Sequence, residues 1–254
     1  MAAEFAGKSE RPLSAVKNTI LGMSPVVLSI VVALVVLFIT TVLLFRRRRN
    51  LRRAVLIVGL SDSGKTLLYS QLVAQKKVGT YTSIKENTTA YEVPKKGTLN
   101  LIDLPGNDRM RAQLIDQFKS LARAVVFVVD SVNFTREVRD VAEFLYSLLS
   151  DSVLSQHCPP VLVVCNKQDL ALAKSSKVVQ SQLEKEMNVL RATQASVLES
   201  TEGQANSKGF LGKKGKDFQF SDLKPLTVEF AEFSAEEPQE SQLTALKSWL
   251  AKVA

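Results

Sequence analysis

The stretch Gly59-Leu60-Ser61-Asp62-Ser63-Gly64-Lys65-Thr66 matches the phosphate-loop pattern G-x-x-x-x-G-K-[ST] at every fixed position. An apolar run, AVLIVG at 54–59, precedes it, and a segment with helical spacing, TLLYSQLVAQ at 66–75, follows it. The glycines allow several backbone N–H groups to point inward at a phosphate. The sequence therefore predicts a nucleotide-binding loop in which Lys65 reaches the β- and γ-phosphates and the Thr66 hydroxyl binds Mg²⁺. The amide of Leu67 is placed to add a further phosphate contact.

Outward from this loop, the chain alternates short apolar runs with segments of helical spacing. The predicted strands are 54–59, 89–94, 98–103, 124–130, 160–166 and 226–234, and the predicted helices are 65–76, 136–151, 171–190 and 241–253. Continuous Val, Ile and Leu runs indicate strands that are covered on both faces. The pattern predicts an α/β domain with a mostly parallel six-stranded sheet and helices on both faces. The Ser-, Gln-, Gly- and Lys-rich stretch 191–222 is predicted to be a flexible surface insertion.

A second motif, Asp103-Leu104-Pro105-Gly106, ends the third predicted strand, 37 residues after Thr66 (103 − 66). A carboxylate at the C-terminal end of a parallel strand faces the ligand crevice, where it can hold Mg²⁺ directly or through water. The amide of Gly106 is then placed to contact a γ-phosphate. The spacing from the phosphate loop predicts a γ-phosphate sensor.

A third motif, Asn166-Lys167-Gln168-Asp169, follows the predicted strand at 160–166. A carboxylate accepts hydrogen bonds from both N1–H and the N2 amino group of guanine, a donor pair that adenine lacks. Asp169 therefore predicts a guanine site, with Asn166 joining the base loop to the phosphate loop and the Lys167 stem over the ring. Ser234-Ala235 ends the last predicted strand, where a backbone amide is expected to meet the guanine carbonyl oxygen.

The N-terminal part of the chain carries a different signal. Val26 to Phe45 is twenty residues without a charge, about 30 Å of helix, which matches the hydrocarbon core of a bilayer. Six arginines lie in 46–53, so the positive-inside rule places the short N-terminus, 1–25, on the lumenal side and the domain 54–254 in the cytosol. We therefore predict one transmembrane helix over 26–45, a basic flank over 46–53 and a cytosolic domain.

Seven of the eight net positive charges belong to this N-terminal part. Residues 1–53 hold nine cations and two anions, which leaves 33 − 9 = 24 cations and 25 − 2 = 23 anions for 54–254. A nearly neutral domain lacks the electrostatic footprint of nucleic-acid binding. One histidine, His157, and two cysteines, Cys158 and Cys165, are too few for a zinc site.

Together, the motifs resemble the Ras-like small GTPases and, among them, the signal recognition particle receptor beta subunits. The resemblance is carried by GLSDSGKT at 59–66, LIDLPG at 101–106, FVVDS at 127–131, CNKQD at 165–169 and LGKKGK at 211–216. It implies GTP or GDP with Mg²⁺ as cofactors and a location in the endoplasmic reticulum membrane. It also implies that the receptor alpha subunit binds the GTP form, with the signal recognition particle and the ribosome as indirect partners and the protein-conducting channel nearby.

The resemblance also implies a first switch segment, for which Thr80-Tyr81-Thr82-Ser83 offers three hydroxyls. It favours Thr82 as the residue that covers the γ-phosphate and completes the Mg²⁺ shell, with Ser83 and Thr80 as alternatives. The expected catalytic set is then Lys65, Thr82, Gly106 and Asn107.

Two positions depart from the family pattern. Asn107 stands where Ras-type enzymes usually place the glutamine that orients the attacking water, which predicts slow unassisted hydrolysis. Glu236 follows Ser234-Ala235 where a lysine is common. This departure leaves the backbone role of the motif intact and the role of the side chain open. Two alternatives therefore remain beside a GTP switch. One is a module that holds GTP permanently; the other is a membrane ATPase or phosphotransferase, against which the guanine motif argues.

Overall fold

The structure is a computed structural model, and it describes residues 25–74, 79, 83, 85–94, 96–200, 211–213 and 215–254. Two compact units divide the chain, Met1–Leu51 and Arg52–Ala254. The division falls two residues before the predicted start of the domain at 54. Most of the predicted lumenal segment, 1–24, lies outside the described residues.

The described part of the first unit is one helix, α1, Pro25–Leu51. Its described side chains, Val26 and 29–43, are exposed, and those of Leu37 and Phe38 are 66% and 70% exposed. Within the part of the chain that the structure describes, no helix is found to be both long and apolar enough to span a membrane. The hydroxyl groups of Thr40 and Thr41 donate to the carbonyl of Leu37 in the preceding turn.

The second unit is built on a six-stranded sheet in the order β2-β3-β1-β4-β5-β6. Its strands are β1 Ala54–Val58, β2 Asn87–Val93, β3 Gly97–Asp103, β4 Ala122–Asp130, β5 Val161–Asn166 and β6 Val228–Glu232. Only the β2–β3 pair is antiparallel among these strands; the other four pairs are parallel. The predicted mostly parallel sheet is confirmed.

Helices cover both faces of this sheet. They are α2 Lys65–Ala74, α3 Asp108–Phe118, α4 Phe134–Leu149, α5 Ser152–His157, α6 Ser176–Ser200 and α7 Glu240–Val253. Successive strand residues point to opposite faces, so Leu56 joins a core with α4 and α6 while Val55 joins a core with α2 and α7. Strand β1 is therefore buried on both sides, as its uninterrupted apolar sequence requires.

The topology brings the carboxyl ends of neighbouring strands to one edge of the sheet. Ile57, near the end of β1, pairs with Asp103 at the end of β3, and Asp130 at the end of β4 pairs with Asn166 at the end of β5. In open parallel sheets this edge is where ligands bind. The three motifs found in the sequence all follow strands at this edge.

The structure differs from the sequence prediction around 191–222. Helix α6 begins at Ser176 rather than at 171 and continues through Ser200. Beyond it, Leu211, Phe218 and Phe220 are buried in the core that includes α4 and α6. A few scattered apolar side chains of this otherwise polar stretch therefore pack into the core, and the flexibility of the insertion stays a prediction.

Two helices, α3 and α5, have no counterpart in the prediction. Both begin at a side-chain cap: the Asn107 carboxamide oxygen accepts from the amide of Arg109, and Asp151 accepts from the amides of Val153 and Leu154. Helix α5 is only six residues long, and α3 has a single buried side chain, Leu114. Neither segment has the repeated apolar spacing on which the prediction relied.

Candidate nucleotide-binding site

The phosphate loop between β1 and α2 is a turn in which the two motif glycines leave no room for a side chain. A Cβ atom on Gly59 would lie 2.3 Å from the Val128 carbonyl oxygen. At Gly64, where φ is +86°, a Cβ atom would lie 2.2 Å from Asn166 Nδ2. The Ser63 hydroxyl donates to the Leu60 carbonyl at 2.9 Å and closes the turn. The loop therefore packs with its backbone directly against β4 and against the residue that ends β5.

Lys65, the first residue of α2, lies inside this turn. Its side chain is buried, and Nζ donates to the Leu60 carbonyl at 2.5 Å and lies 3.4 Å from the Ser63 hydroxyl. Burial lowers the pKa of Lys65 to about 8, although the carboxylates of Asp103 and Asp62 oppose this shift. An anion beside the ammonium group would favour its charged form.

Oxygen atoms gather beside Lys65 around the end of β3. The Thr66 hydroxyl donates to Asp103 Oδ2 at 2.8 Å and lies 3.1 Å from the Ser83 hydroxyl. Asn87 Nδ2 donates to the same carboxylate oxygen at 3.3 Å. Burial raises the pKa of Asp103, against the opposing hydrogen bonds from Thr66 and Asn87.

The second carboxylate oxygen of Asp103, Oδ1, is buried and has no hydrogen-bond partner among the described residues. An unpaired buried carboxylate oxygen beside two hydroxyl groups fits a hard cation such as Mg²⁺, which prefers oxygen ligands. No group of three or more His, Cys, Asp and Glu side chains that could hold a metal occurs among the described residues. A cation here would thus take one carboxylate, hydroxyl groups and, in addition, ligand oxygens.

The loop after β3 lies directly on the phosphate loop. A Cβ atom on Gly106 would lie 2.6 Å from the Ser61 nitrogen and 2.7 Å from Lys65 Nζ. A cavity of about 220 Å³ lies between the two loops. It is lined by Ser61, Asp62, Gly64, Lys65, Thr66, Leu67, Ser83, Leu104, Pro105, Gly106 and Lys167.

Asn166, at the end of β5, links three segments of the site. Its Nδ2 donates to the Ser63 carbonyl at 2.8 Å, and its Oδ1 accepts from the Ala235 amide at 2.9 Å. The side chain is fully buried. The phosphate loop, the loop after β5 and the loop after β6 are therefore held in one arrangement by a single carboxamide.

The two residues that the sequence assigns to the base are also held by hydrogen bonds. Asp169 is exposed, and its Oδ1 accepts from the Ser234 hydroxyl at 2.6 Å. Lys167, at a φ of +66°, forms an ion pair of 2.6 Å with Asp130. Burial acts to raise the pKa of Asp130, but the hydrogen bonds from Lys167, Asn133 and the Val132 amide outweigh it and hold the pKa below its usual value.

The comparisons with known proteins agree with this geometry. The family model of the signal recognition particle receptor beta subunit matches residues 50–227. The chain is 46% identical to the signal recognition particle receptor subunit beta of Mus musculus, over 98% of this chain and 96% of the relative. It belongs to the signal recognition particle receptor beta subunit family.

Solved structures support the same assignment. A chain of the mammalian signal recognition particle receptor is 52% identical, with a TM-score of 0.70 over 80% of this chain and 100% of the other. The signal recognition particle receptor protein SRb-GDP of Chaetomium thermophilum is 25% identical, with a TM-score of 0.61 over 79% of this chain and 97% of the other. The fold of the second unit is that of the Ras-like small GTPases.

Not every residue expected from the beta subunit family can be placed. Thr80, Tyr81 and Thr82 lie outside the described residues. Ser83 is described, and it lies at Thr66. Asn107, the residue in place of the usual glutamine, caps α3 through its side-chain oxygen.

The backbone amides of Ser234 and Ala235, which the sequence assigns to the guanine carbonyl oxygen, donate to side chains of the protein. The Ala235 amide donates to Asn166 Oδ1, and the Ser234 amide donates to Gln242 Oε1 at 3.1 Å. Both amides thus have acceptors within the protein, and the contact with guanine stays a prediction. In this structure the segment holds Asp169 and Asn166 instead.

Several polar residues of the site escape the sequence motifs. Asn87 contacts Asp103, and two glutamines, Gln71 and Gln242, contact the 234–235 backbone. Gln71 and Ala235 are 164 positions apart. No spacing along the chain reveals such a contact, because it arises only where α2 meets the loop after β6 in the folded domain.

Proposed function

We propose that this chain is a membrane-anchored GTP-binding subunit of a signal recognition particle receptor. In its GTP form it binds the receptor alpha subunit and keeps it at the endoplasmic reticulum membrane, in support of co-translational targeting. The observation that carries the proposal is the joint arrangement of the three motifs: Thr66 on Asp103, and Asn166 on both Ser63 and Ala235. This arrangement joins a phosphate site to a base site.

The residues divide the work of nucleotide binding by charge. Lys65 and the backbone N–H groups of 59–67 hold phosphate, and Thr66 and Asp103 hold Mg²⁺, with Thr82, Ser83 or Thr80 completing the shell. Bound Mg²⁺ supplies neutralisation of the charge on the β- and γ-phosphates. Gly106 brings its amide to the γ-phosphate. Asp169 accepts the guanine N–H groups, and Lys167 covers the ring.

Hydrolysis in this site is a matter of positioning. Water attacks the γ-phosphorus, the bond to the β–γ bridging oxygen breaks, and GDP and phosphate leave without a covalent intermediate. Asn107 is poorly suited to orient that water, because its carboxamide oxygen already accepts from the Arg109 amide at 3.0 Å. We therefore propose slow intrinsic hydrolysis.

The contact of Asn107 with the Arg109 amide also favours a second function. In this function the chain is a module that holds GTP without cycling and serves as an anchor for a cytosolic partner. The two functions differ in nucleotide exchange. A cycling switch exchanges GDP for GTP and releases its partner after hydrolysis, whereas a permanent module retains GTP through purification and does not release it on the time scale of binding assays.

Membrane attachment rests on the N-terminal unit. The twenty uncharged residues 26–45 are long enough for a bilayer. The described side chains of α1 are exposed, and all but Ser29, Thr40 and Thr41 are apolar. Its polar side chains bond to backbone carbonyls within the helix, as in Ser29 to Val26 at 2.8 Å, which suits surroundings that offer no water. The arginines of 46–53 then mark the cytosolic side.

The proposal is tested with residues 52–254, loaded in turn with a non-hydrolysable GTP analogue and with GDP in the presence of Mg²⁺. Excess unlabelled GDP should displace a bound fluorescent GDP, and excess ADP should not. The alpha subunit should be captured by the GTP-analogue form and not by the GDP form. Equal competition by ADP contradicts the guanine site, and equal capture in both forms contradicts the switch.

A further inference from the structure

The 234–235 backbone after β6 is held by two glutamines from different helices. Gln71 of α2 donates through Nε2 to the Ala235 carbonyl at 3.1 Å. Gln242 of α7 accepts through Oε1 from the Ser234 amide at 3.1 Å. We call Gln71 and Gln242 the glutamine clamp. Neither residue belongs to a nucleotide motif.

The contact between Gln71 and the Ala235 carbonyl is formed by a buried side chain. Gln71 is 5% exposed and lies among the apolar side chains of the core that includes α2 and α7. Buried carboxamides are retained where they have a hydrogen-bond partner, and the loss of one partner leaves the other unpaired. The recorded partner of the Gln71 side chain is the carbonyl of Ala235.

The clamp complements contacts on the other side of the same backbone. The Ala235 amide donates to Asn166 Oδ1, and the Ala235 carbonyl accepts from Gln71 Nε2. The Ser234 amide donates to Gln242 Oε1, and the Ser234 hydroxyl donates to Asp169 Oδ1 at 2.6 Å. Movement of this backbone would therefore move the carboxylate of Asp169 as well.

Helix α2 gives the clamp a connection to the phosphates. The helix begins with Lys65 and Thr66 at the phosphate loop, and Gln71 lies in the next turns of the same rigid element. The helix thus contacts the phosphate site at its first turn and the base loop at Gln71.

We propose that Gln71 and Gln242 are positioning residues that fix the 234–235 backbone, and through Ser234 the carboxylate of Asp169, in the geometry that recognises guanine. This inference rests on the proposed guanine-nucleotide function and adds specificity-determining residues to it. The clamp sets the rate of nucleotide release and the preference for guanine over hypoxanthine. Hypoxanthine lacks the N2 amino group of guanine, from which Asp169 accepts a hydrogen bond.

The test compares dissociation of GDP and IDP from the 52–254 chain by fluorescence. Gln71→Met keeps the length of the side chain but removes its hydrogen bond. We expect GDP release to accelerate by about 5- to 100-fold, the range for a buried hydrogen-bonding group left unpaired. IDP release should accelerate less, so that the ratio of GDP to IDP affinity falls. Gln242→Met, on a half-buried residue, should shift the ratio in the same direction.

The matched control is Gln180→Met on α6, whose carboxamide donates to Glu184 of its own helix at 3.3 Å. It should leave both release rates unchanged. Equal acceleration of GDP and IDP release by both clamp variants, or no acceleration by either, would overturn the positioning role. Failure of the proposed function is seen separately, because the unmodified chain would then not distinguish GDP from ADP.

Discussion

At the scale of single residues, Gly64 marks the closest approach of the phosphate loop to the base loop. We expect Gly64→Ala to lower GDP affinity by about 5- to 150-fold, since the new methyl group would lie 2.2 Å from Asn166 Nδ2 and a buried hydrogen-bonding group left unpaired costs about 1–3 kcal/mol. Displacing Asn166 would break its contact with Ser63. Titration with a fluorescent GDP measures the effect.

Gly97 offers the matched control for this substitution. Its φ of +100° is also strained for alanine, but a Cβ atom there would meet nothing within 4 Å. Gly97→Ala should lower the unfolding midpoint modestly and leave GDP affinity unchanged. If both variants bind GDP as tightly as the unmodified chain, the contact between Gly64 and Asn166 is not needed for binding.

Lys65 gives a pH dependence at the same scale. Burial lowers the pKa of Lys65 to about 8, whereas a bound phosphate favours the ammonium form and raises the pKa again. GDP binding at pH 9 should therefore take up close to one proton, and GDP affinity should fall by at most about tenfold per pH unit above 8. Calorimetry at pH 9 in two buffers of different ionisation enthalpy measures this uptake.

The lowered pKa of Lys65 also makes the free energy of unfolding depend on pH in the absence of nucleotide. A lysine whose pKa is lower in the folded chain binds fewer protons there, so its contribution to the free energy of unfolding rises with pH from about 8 to the ordinary lysine value. Lys65→Arg, which stays charged at pH 9, is the control and should show no proton uptake. Uptake that persists in this variant would assign the proton to another group.

At the scale of elements, α6 is tied to the segment after it by Arg191. The guanidinium of this buried residue donates to the carbonyls of Lys213, at 3.1 Å, and of Lys216, and to Asn188 Oδ1 at 2.7 Å. Arg191→Ala should lower the free energy of unfolding by about 1–3 kcal/mol, because the hydrogen bonds from a charged, buried guanidinium are lost. Urea unfolding measures the loss, and hydrogen exchange should increase over 211–217.

Lys185→Ala, on an exposed residue of the same helix, is the control and should change neither measurement. Arg191→Lys should recover only part of the stability, since an ammonium group cannot reproduce the planar fork of the guanidinium. Unchanged exchange over 211–217 in Arg191→Ala would show that Phe218 and Phe220 hold this segment without it.

Elements with a regular pattern could be predicted, and irregular ones could not. The strand at 124–130 is found within Ala122–Asp130, because its apolar residues from Ala124 to Val129 follow one another without interruption. Helix α3 escapes prediction because it buries only Leu114. In the stretch after α6, the burial of Leu211, Phe218 and Phe220 could not be predicted, because it comes from contacts with distant elements that the local polar composition does not reveal.

The site divides along the same line. The meeting of Thr66, Asp103 and Asn166 could be predicted because the phosphate loop follows β1, Asp103 ends β3 and Asn166 ends β5. The carboxyl ends of parallel strands meet at one edge of the sheet. Gln71 and Asn87 could not, because each gains its role only from a contact across the fold. A motif identifies residues fixed by backbone geometry; the side chains that hold that backbone depend on tertiary packing.

At the scale of the whole molecule, the two units carry different chemistry. Residues 52–254 hold 26 of the 33 cations and 23 of the 25 anions, and so are nearly balanced. Residues 1–51 hold the uncharged run 26–45 together with most of the excess positive charge. The two properties predict that membrane binding and nucleotide binding can be separated by one cut in the chain.

The cut belongs before Arg52, because the Arg53 carbonyl accepts from the Asn100 amide at 2.8 Å and extends the pairing beside β1. We expect residues 52–254 to bind GDP as the full chain does, since every described residue of the nucleotide site lies within them. In flotation with phosphatidylcholine vesicles, the full chain should rise with the lipid and residues 52–254 should stay below. Adding salt should not release the full chain, because burial of the apolar run, unlike attraction between arginines and lipid headgroups, is not screened. Release by salt would instead assign membrane binding to the arginines of 46–49, and flotation of residues 52–254 would place a membrane contact in the nucleotide-binding unit itself.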